Sequence, residues 1–177
     1  EVQFFAPAVA RVIKSPEGVA YEKQSLSVIA KPEKVSFKAD IQDNKIVLNT
    51  SELSVSVDTG TGIVSYFSKD GKSLLAEKSG FDDAGTKTYQ VYQPFILDKE
   101  EAIYGLGQLQ NGKMIQRNMT KNLIQGNVED VSPFFQSTKG YGVFWDNYSP
   151  TLFTDNEVET SFRSEVGDCV DYYFMYG

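Results

Sequence analysis

The dominant repeat along this chain has a period of two. Leu53, Val55 and Val57 alternate with Ser54, Ser56 and Asp58, which predicts a strand with one buried face. Val35, Phe37 and Ala39 alternate with Ser36, Lys38 and Asp40 in the same way. Further strands are predicted at residues 46–48, 63–67, 89–96, 123–128, 133–137, 141–145, 152–154, 158–162 and 170–175. Short turn-forming stretches separate them, the clearest being Asp43-Asn44, Thr59-Gly60-Thr61-Gly62 and Asp70-Gly71. Asp70-Gly71 predicts a two-residue hairpin turn, because both residues tolerate the positive φ that such a turn requires. Asn111-Gly112 reads as a second such turn between less regular flanks, and residues 80–87 read as a loop. Helical periodicity is nearly absent, although residues 98–102 allow one turn with Asp98 as N-cap. The pattern predicts one all-β domain over residues 1–177: a large sandwich of two antiparallel sheets, with at most one or two short helical turns.

Composition narrows the chemistry. A chain of 177 residues buries enough surface to fold without a disulfide or metal staple. Net charge is −7, and the closest lysines, Lys31 and Lys34, bracket Glu33. Nucleic-acid binding needs clustered cations to neutralise phosphates, so it is excluded, and docking on anionic membranes is disfavoured. No run approaches 18 apolar residues, so no membrane-spanning helix is expected. Histidine is absent, which removes Ser-His-Asp and Cys-His catalysis and histidine-ligated metals. The single cysteine, Cys169, lies in the apolar run 166–175 and reads as a buried, inert thiol. No cofactor or metal set is expected. Both termini fall within strand-like sequence, so the chain reads as part of a longer protein. A periplasmic or extracellular place is favoured over a cytoplasmic one.

Three features remain as candidates for function. The acidic pairs Asp82-Asp83, Glu129-Asp130 and Glu157-x-Glu159 could supply paired carboxylates, but solvated turns account for them. Gly105-x-Gly107 lacks the third glycine and following helix of a dinucleotide site, and reads as a backbone kink where a strand leaves its sheet or meets a neighbour closely. The stretch from Gln108 to Asp130 is the third. It holds Gln108, Gln110, Asn111, Gln116, Arg117, Asn118, Thr120, Asn122, Gln125 and Asn127 with few acids. Side-chain amides donate and accept as sugar hydroxyls do, and arginine adds a planar donor fork. The alternative is that these amides simply solvate a long surface loop.

Taken in order, several motifs resemble one family. Tyr104-Gly105-Leu106-Gly107-Gln108 is followed by a loop, then by Ser132-Pro133-Phe134-Phe135, then by Lys139-Gly140-Tyr141-Gly142-Val143 with Phe144-Trp145-Asp146-Asn147. Val9 to Ser15 is similar to an early strand, and Val170 to Gly177 to a closing strand. This series resembles the N-terminal, galactose mutarotase-like β-sandwich domain of family 31 glycoside hydrolases, the retaining α-glucosidases and α-xylosidases. The resemblance implies a catalytic (β/α)8 barrel downstream, carrying an Asp nucleophile and an Asp acid/base about 5–5.5 Å apart. It implies no catalytic residue here, and an α-linked oligosaccharide as substrate of the whole enzyme. It also places a loop, about Gln108 to Asn127, toward the substrate entrance, with Gln108, Asn111, Gln116, Arg117 and Asn118 as substrate-contacting candidates. Gln108 stands where Glu is commoner, and Asn118 where many relatives have Asp. Two other possibilities stay open: a free-standing carbohydrate-binding or adhesion module, and a sandwich with no ligand. The first of the three predicts an exposed apolar patch for the barrel; the carbohydrate module predicts a flat aromatic platform.

Overall fold

The computed structural model describes residues 1–16, 18, 21, 23–79 and 89–177. Among these are fifteen strands and no helix. The smaller sheet has the order β1 (Val2–Ala6), β2 (Val9–Lys14), β15 (Val170–Tyr176), β12 (Tyr141–Trp145), β11 (Asp130–Ser137) and β9 (Ile103–Gln108). The larger runs β10 (Met119–Leu123), β13 (Thr151–Asp155), β14 (Thr160–Gly167), β8 (Tyr89–Ile96), β7 (Ser73–Glu77), β6 (Val64–Ser68), β5 (Leu53–Asp58), β4 (Lys45–Asn49) and β3 (Lys38–Gln42). Every pairing is antiparallel. The two-sheet sandwich expected from the alternation is the observed fold.

The sheets pack through one aromatic core. Tyr66 of the larger sheet stacks on Phe174 of the smaller at 3.9 Å, and Trp145 stacks on Phe162 at 5.6 Å. Trp145 is fully buried and its indole N–H donates to Ser164 Oγ at 2.8 Å, so its polar edge is satisfied. A polar bridge crosses the same core. Glu77 accepts from Lys14 Nζ at 2.5 Å, Tyr172 OH at 2.6 Å and the Val64 N–H at 2.6 Å, and Tyr172 OH lies 2.8 Å from Tyr66 OH. Burial pushes the Glu77 carboxyl up from its ordinary value, against the pull of Lys14 and the other donors. Burial and the nearby Glu77 push both tyrosine hydroxyls well up.

Several local expectations are corrected. Residues 35–37 are outside any strand, and β3 starts at Lys38. Phe37 is 53% exposed, although its ring lies 5.5 Å from that of Phe4. The larger sheet has nine strands against six, so its β3 edge extends past the layer that would have covered it. At Asp70-Gly71 the loop has three residues: Ser68 N–H donates to Lys72 O at 2.9 Å, and Gly71 alone takes positive φ. That is a type I turn closed by a left-handed glycine, which matches the strand twist as a two-residue turn would. Asn111-Gly112 joins no hairpin, because β9 and β10 belong to different sheets. The strand expected at 123–128 lies instead at β10, within the stretch read as loop. Residues 98–101 form a hydrogen-bonded turn rather than a helix, with Glu101 N–H on Asp98 O and Asp98 N–H on Glu101 Oε2, both at 3.1 Å. Asp82, Asp83 and the loop expected at residues 80–87 lie outside the described residues.

Candidate functional site

The Gly105-Leu106-Gly107 kink positions the candidate loop. All three residues take positive φ, at 118°, 63° and 96°. A Cβ on Gly107 would sit 2.1 Å from Asp130 O, and one on Gly105 would sit 2.6 Å from Phe134 O. Only glycine permits this approach, which is the use the sequence predicts. The β9–β11 register jumps between Val131 and Phe135, so β11 bulges there, with residues 132–134 opposite Leu106 of β9, which is fully buried. Beyond Gln108 the chain leaves the smaller sheet, doubles back, and enters the larger sheet at β10.

The doubling back is held by the residues predicted to touch substrate. Gln116 is 4% exposed; its N–H donates to Ile103 O at 2.9 Å and its Nε2 to Lys113 O at 2.8 Å. Asn111 Nδ2 donates to Gln116 Oε1 at 2.9 Å, which closes the loop on itself. Arg117 Nε donates to Asp155 Oδ2 at 2.9 Å, and its Nη1 reaches the carbonyls of Asp98, at 3.0 Å, and Glu101. Asp155 also accepts from the Asn118 N–H at 2.6 Å and from Thr160 Oγ1 at 2.5 Å. Arg117 is thereby committed to the protein's interior.

Three of the five candidates are displayed, Asn111 among them although its amide also holds the loop. Gln108, Asn111 and Asn118 are exposed. Asn118 holds φ at 53°, a conformation asparagine accepts more readily than most residues. Arg117 and Asn118 border a cleft of ≈ 410 Å³ whose other wall includes Asn156, Glu157 and Glu159. Gln108 sits elsewhere, paired with Asp130 across β9 and β11. The structure therefore brings Asn111 to Gln116 and sets Arg117 and the Asn118 N–H together on Asp155. Apolar side chains share the loop surface: Met114 is 80% exposed and Val128 66%.

The acids sort into two groups. At the loop's other end Glu129 accepts from Lys121 and from the Gln110 N–H, and these two hold its carboxyl below the ordinary range. Glu159 accepts from Tyr92 OH and from Ser161 Oγ. The buried carboxylates are Glu77, Glu101, Asp146, Asp155 and Asp171. Each has a cation beside it: Lys14, Lys139, Lys23, Arg117 and Arg11 respectively. Sequence reasoning missed these five as structural acids. Strand parity could have found one of them, because Asp155 falls on the inward phase of Thr151, Phe153 and Asp155, where an acid requires a partner. Cys169 is buried as expected, and burial pushes its thiol up to about 11.

Residues 1–153 match the family model of the glycosyl hydrolase 31 N-terminal galactose mutarotase-like domain. An α-xylosidase of Saccharolobus solfataricus is 33% identical over the whole chain, and an α-glucosidase 2 of Bacillus thermoamyloliquefaciens is 24% identical over the whole chain. The chain spans 26% and 24% of those two relatives. A solved GH31 α-xylosidase from a soil metagenome, complexed with xylose, superposes with a TM-score of 0.86 at 21% identity. That match covers 99% of this chain and 29% of the solved one.

Proposed function

Because this chain belongs to the glycosyl hydrolase 31 N-terminal galactose mutarotase-like domain family, we propose that it serves as the non-catalytic N-terminal domain of a retaining α-glycosidase acting on α-xylosides or α-glucosides. The observation that carries this reading is that every described buried carboxylate has a lysine or arginine nitrogen within 3.5 Å. Retaining hydrolysis needs one carboxylate free to attack and a second carboxyl free to trade a proton. Acids locked to cations in a core are spent on the fold. The chemistry then belongs to the rest of a protein as long as the relatives, on a downstream barrel. The loop from Gln108 supplies polar contacts at the substrate entrance through Gln108, Asn111 and Asn118. Gln116 and Arg117 act there by holding the loop's shape. Such contacts orient substrate away from the reacting bond and tune KM and specificity.

The test uses the full-length protein and the 1–177 chain side by side with aryl α-xyloside and aryl α-glucoside. Full-length protein is expected to release the sugar with retained anomeric configuration by NMR, and the 1–177 chain to release none. Turnover by the 1–177 chain, or none by the full-length protein, overturns the proposal. Gln108→Ala and Asn118→Gly in the full-length protein are expected to raise KM several-fold with kcat little changed.

A further inference from the structure

A hollow of ≈ 630 Å³ lies at the far end of the larger sheet from the Arg117–Asn118 cleft. The cleft meets β8 and β14 at Ile96 and Thr160; the hollow meets them at Tyr89 and Gly167. The full length of both strands separates the two, roughly 20 Å at about 3.3 Å per residue. The hollow's other walls are the turn 147–149 after β12, the turn 166–169 before β15, and Tyr21 with Lys23. These walls are pinned to one another. Asn147 Nδ2 donates to Val166 O at 3.1 Å, and Asn147 Oδ1 accepts from the Ser149 N–H and Oγ at 2.8 and 2.9 Å. Tyr148 OH accepts from the Leu26 N–H at 2.6 Å, and the Tyr21 hydroxyl hydrogen-bonds the Cys169 sulfur. Gly167 has no room for a side chain, because a Cβ there would lie 2.3 Å from Val91 Cγ2 and 2.7 Å from Asn147 Nδ2.

We infer that this hollow binds a neutral saccharide, at a site separate from the Arg117–Asn118 cleft and independent of the glycosidase reading above. Tyr21, Tyr89 and Tyr148 offer rings to the C–H side of a sugar, and Tyr148 is 52% exposed. Asn147, Ser149 and Asp168 add donors and acceptors for its hydroxyls. Asn147 Nδ2 carries a second hydrogen, and the Tyr148 hydroxyl, which accepts from Leu26, has its own hydrogen to donate. Aromatic walls with a few fixed polar groups, around a volume of this size, make a small-molecule site. Charge narrows the ligand. Among the described lining residues Lys23 is the one cation, and its Nζ lies 3.2 Å from Asp146 Oδ1 and 3.3 Å from Asp171 Oδ2. That ammonium is already neutralised, and the exposed Asp168 repels an anion. Lys23 Nζ also sits 4.5 Å over the Tyr148 ring, the place a cationic ligand would need. An uncharged polyhydroxyl ligand meets neither obstacle.

The experiment follows amide hydrogen exchange by mass spectrometry in the full-length protein, with methyl 4-thio-α-maltoside as probe because its sulfur linkage resists hydrolysis. Saturating probe is expected to slow exchange at 147–149 and 166–169 by at least about threefold. Tyr148→Ala and Asp168→Ala, both at exposed turn positions, are each expected to abolish that protection, and Tyr148→Phe, which keeps the ring, to retain it. Unfolding followed by Trp145 emission checks that each variant is folded. No protection at these amides in the unaltered protein overturns the inference, as does protection that survives both alanine variants. Protection by glucose 6-phosphate or choline in place of the thiomaltoside also overturns it and assigns the hollow to a charged ligand. Glycosidase activity measured on the unaltered protein separates the two proposals. An active protein without protection loses only the hollow; a protected hollow in an inactive protein loses only the glycosidase reading.

Discussion

Along β5 of the larger sheet the outward positions are Ser54 and Ser56, while along β15 of the smaller sheet they are Asp171, Tyr173 and Met175. Both strands are equally buried on their inward side, through Leu53 and Val55 in one and Tyr172 and Phe174 in the other. The outward side therefore reports what lies beyond the sandwich. Ser54 and Ser56 are half-exposed there, whereas Tyr173 and Met175 line an apolar groove together with Val28 and Ala30 of the segment 23–35. The same contrast holds for arginine. Arg11 on β2 is buried on a two-pronged bond to Asp171, whereas Arg163 on β14 lies 4.0 Å over the Tyr92 ring at a half-exposed site.

The largest expected effect tests the backbone of the two sheets. Gly107→Ala places a methyl 2.1 Å from a backbone oxygen at φ 96°, and combined strain and overpacking should cost about 4 kcal/mol in urea unfolding followed by Trp145 emission. Gly71→Ala in the larger sheet meets open space at φ 79°, so it should cost about 1 kcal/mol. Equal losses would mean that the β9 kink is not fixed by contact with β11.

Side-chain charge comes next. Arg11→Ala strips its partner from a buried carboxylate and should cost about 3 kcal/mol, toward the low end of such losses because Lys23 remains 3.3 Å from Asp171. Arg163→Ala should cost under about 1 kcal/mol by the same assay. A loss at Arg163 matching that at Arg11 would erase the difference between the faces. The smallest effect lies at the seam between the sheets, where Lys121 of β10 meets Glu129. A carboxyl held below its ordinary value contributes stability that is present above the unfolded pKa and lost as pH falls through the folded one. Carbon-13 NMR should place the Glu129 midpoint below the ordinary value, and Lys121→Met should move it up; no movement would remove Lys121 as the cause.

Much of this was legible in the residues themselves. The strands at 89–96 and 141–145 fall where the alternation and the aromatic runs place them. The Gly105-x-Gly107 kink was legible because a glycine pair inside a strand has few other uses. The loop was half legible. Its amides and Arg117 were found, but residue type alone did not separate Gln116 and Arg117, turned inward, from Gln108 and Asn118, turned out. That division depends on Asp155 and Ile103, which lie elsewhere in the chain. The hairpin expected at Asn111-Gly112 failed for a related reason, since a turn sequence fixes local φ but not which sheet the next strand joins.

Short-range physics was decided by the sequence alone. Period-two burial, left-handed glycines and a chain without histidine fix an all-β sandwich and bound its chemistry. Tertiary structure decided which charges meet and which face stays uncovered, because those contacts join residues far apart, as Arg11 and Asp171 do across 160 positions. No local pattern encodes the partner of a buried charge; it exists only once two distant strands lie side by side.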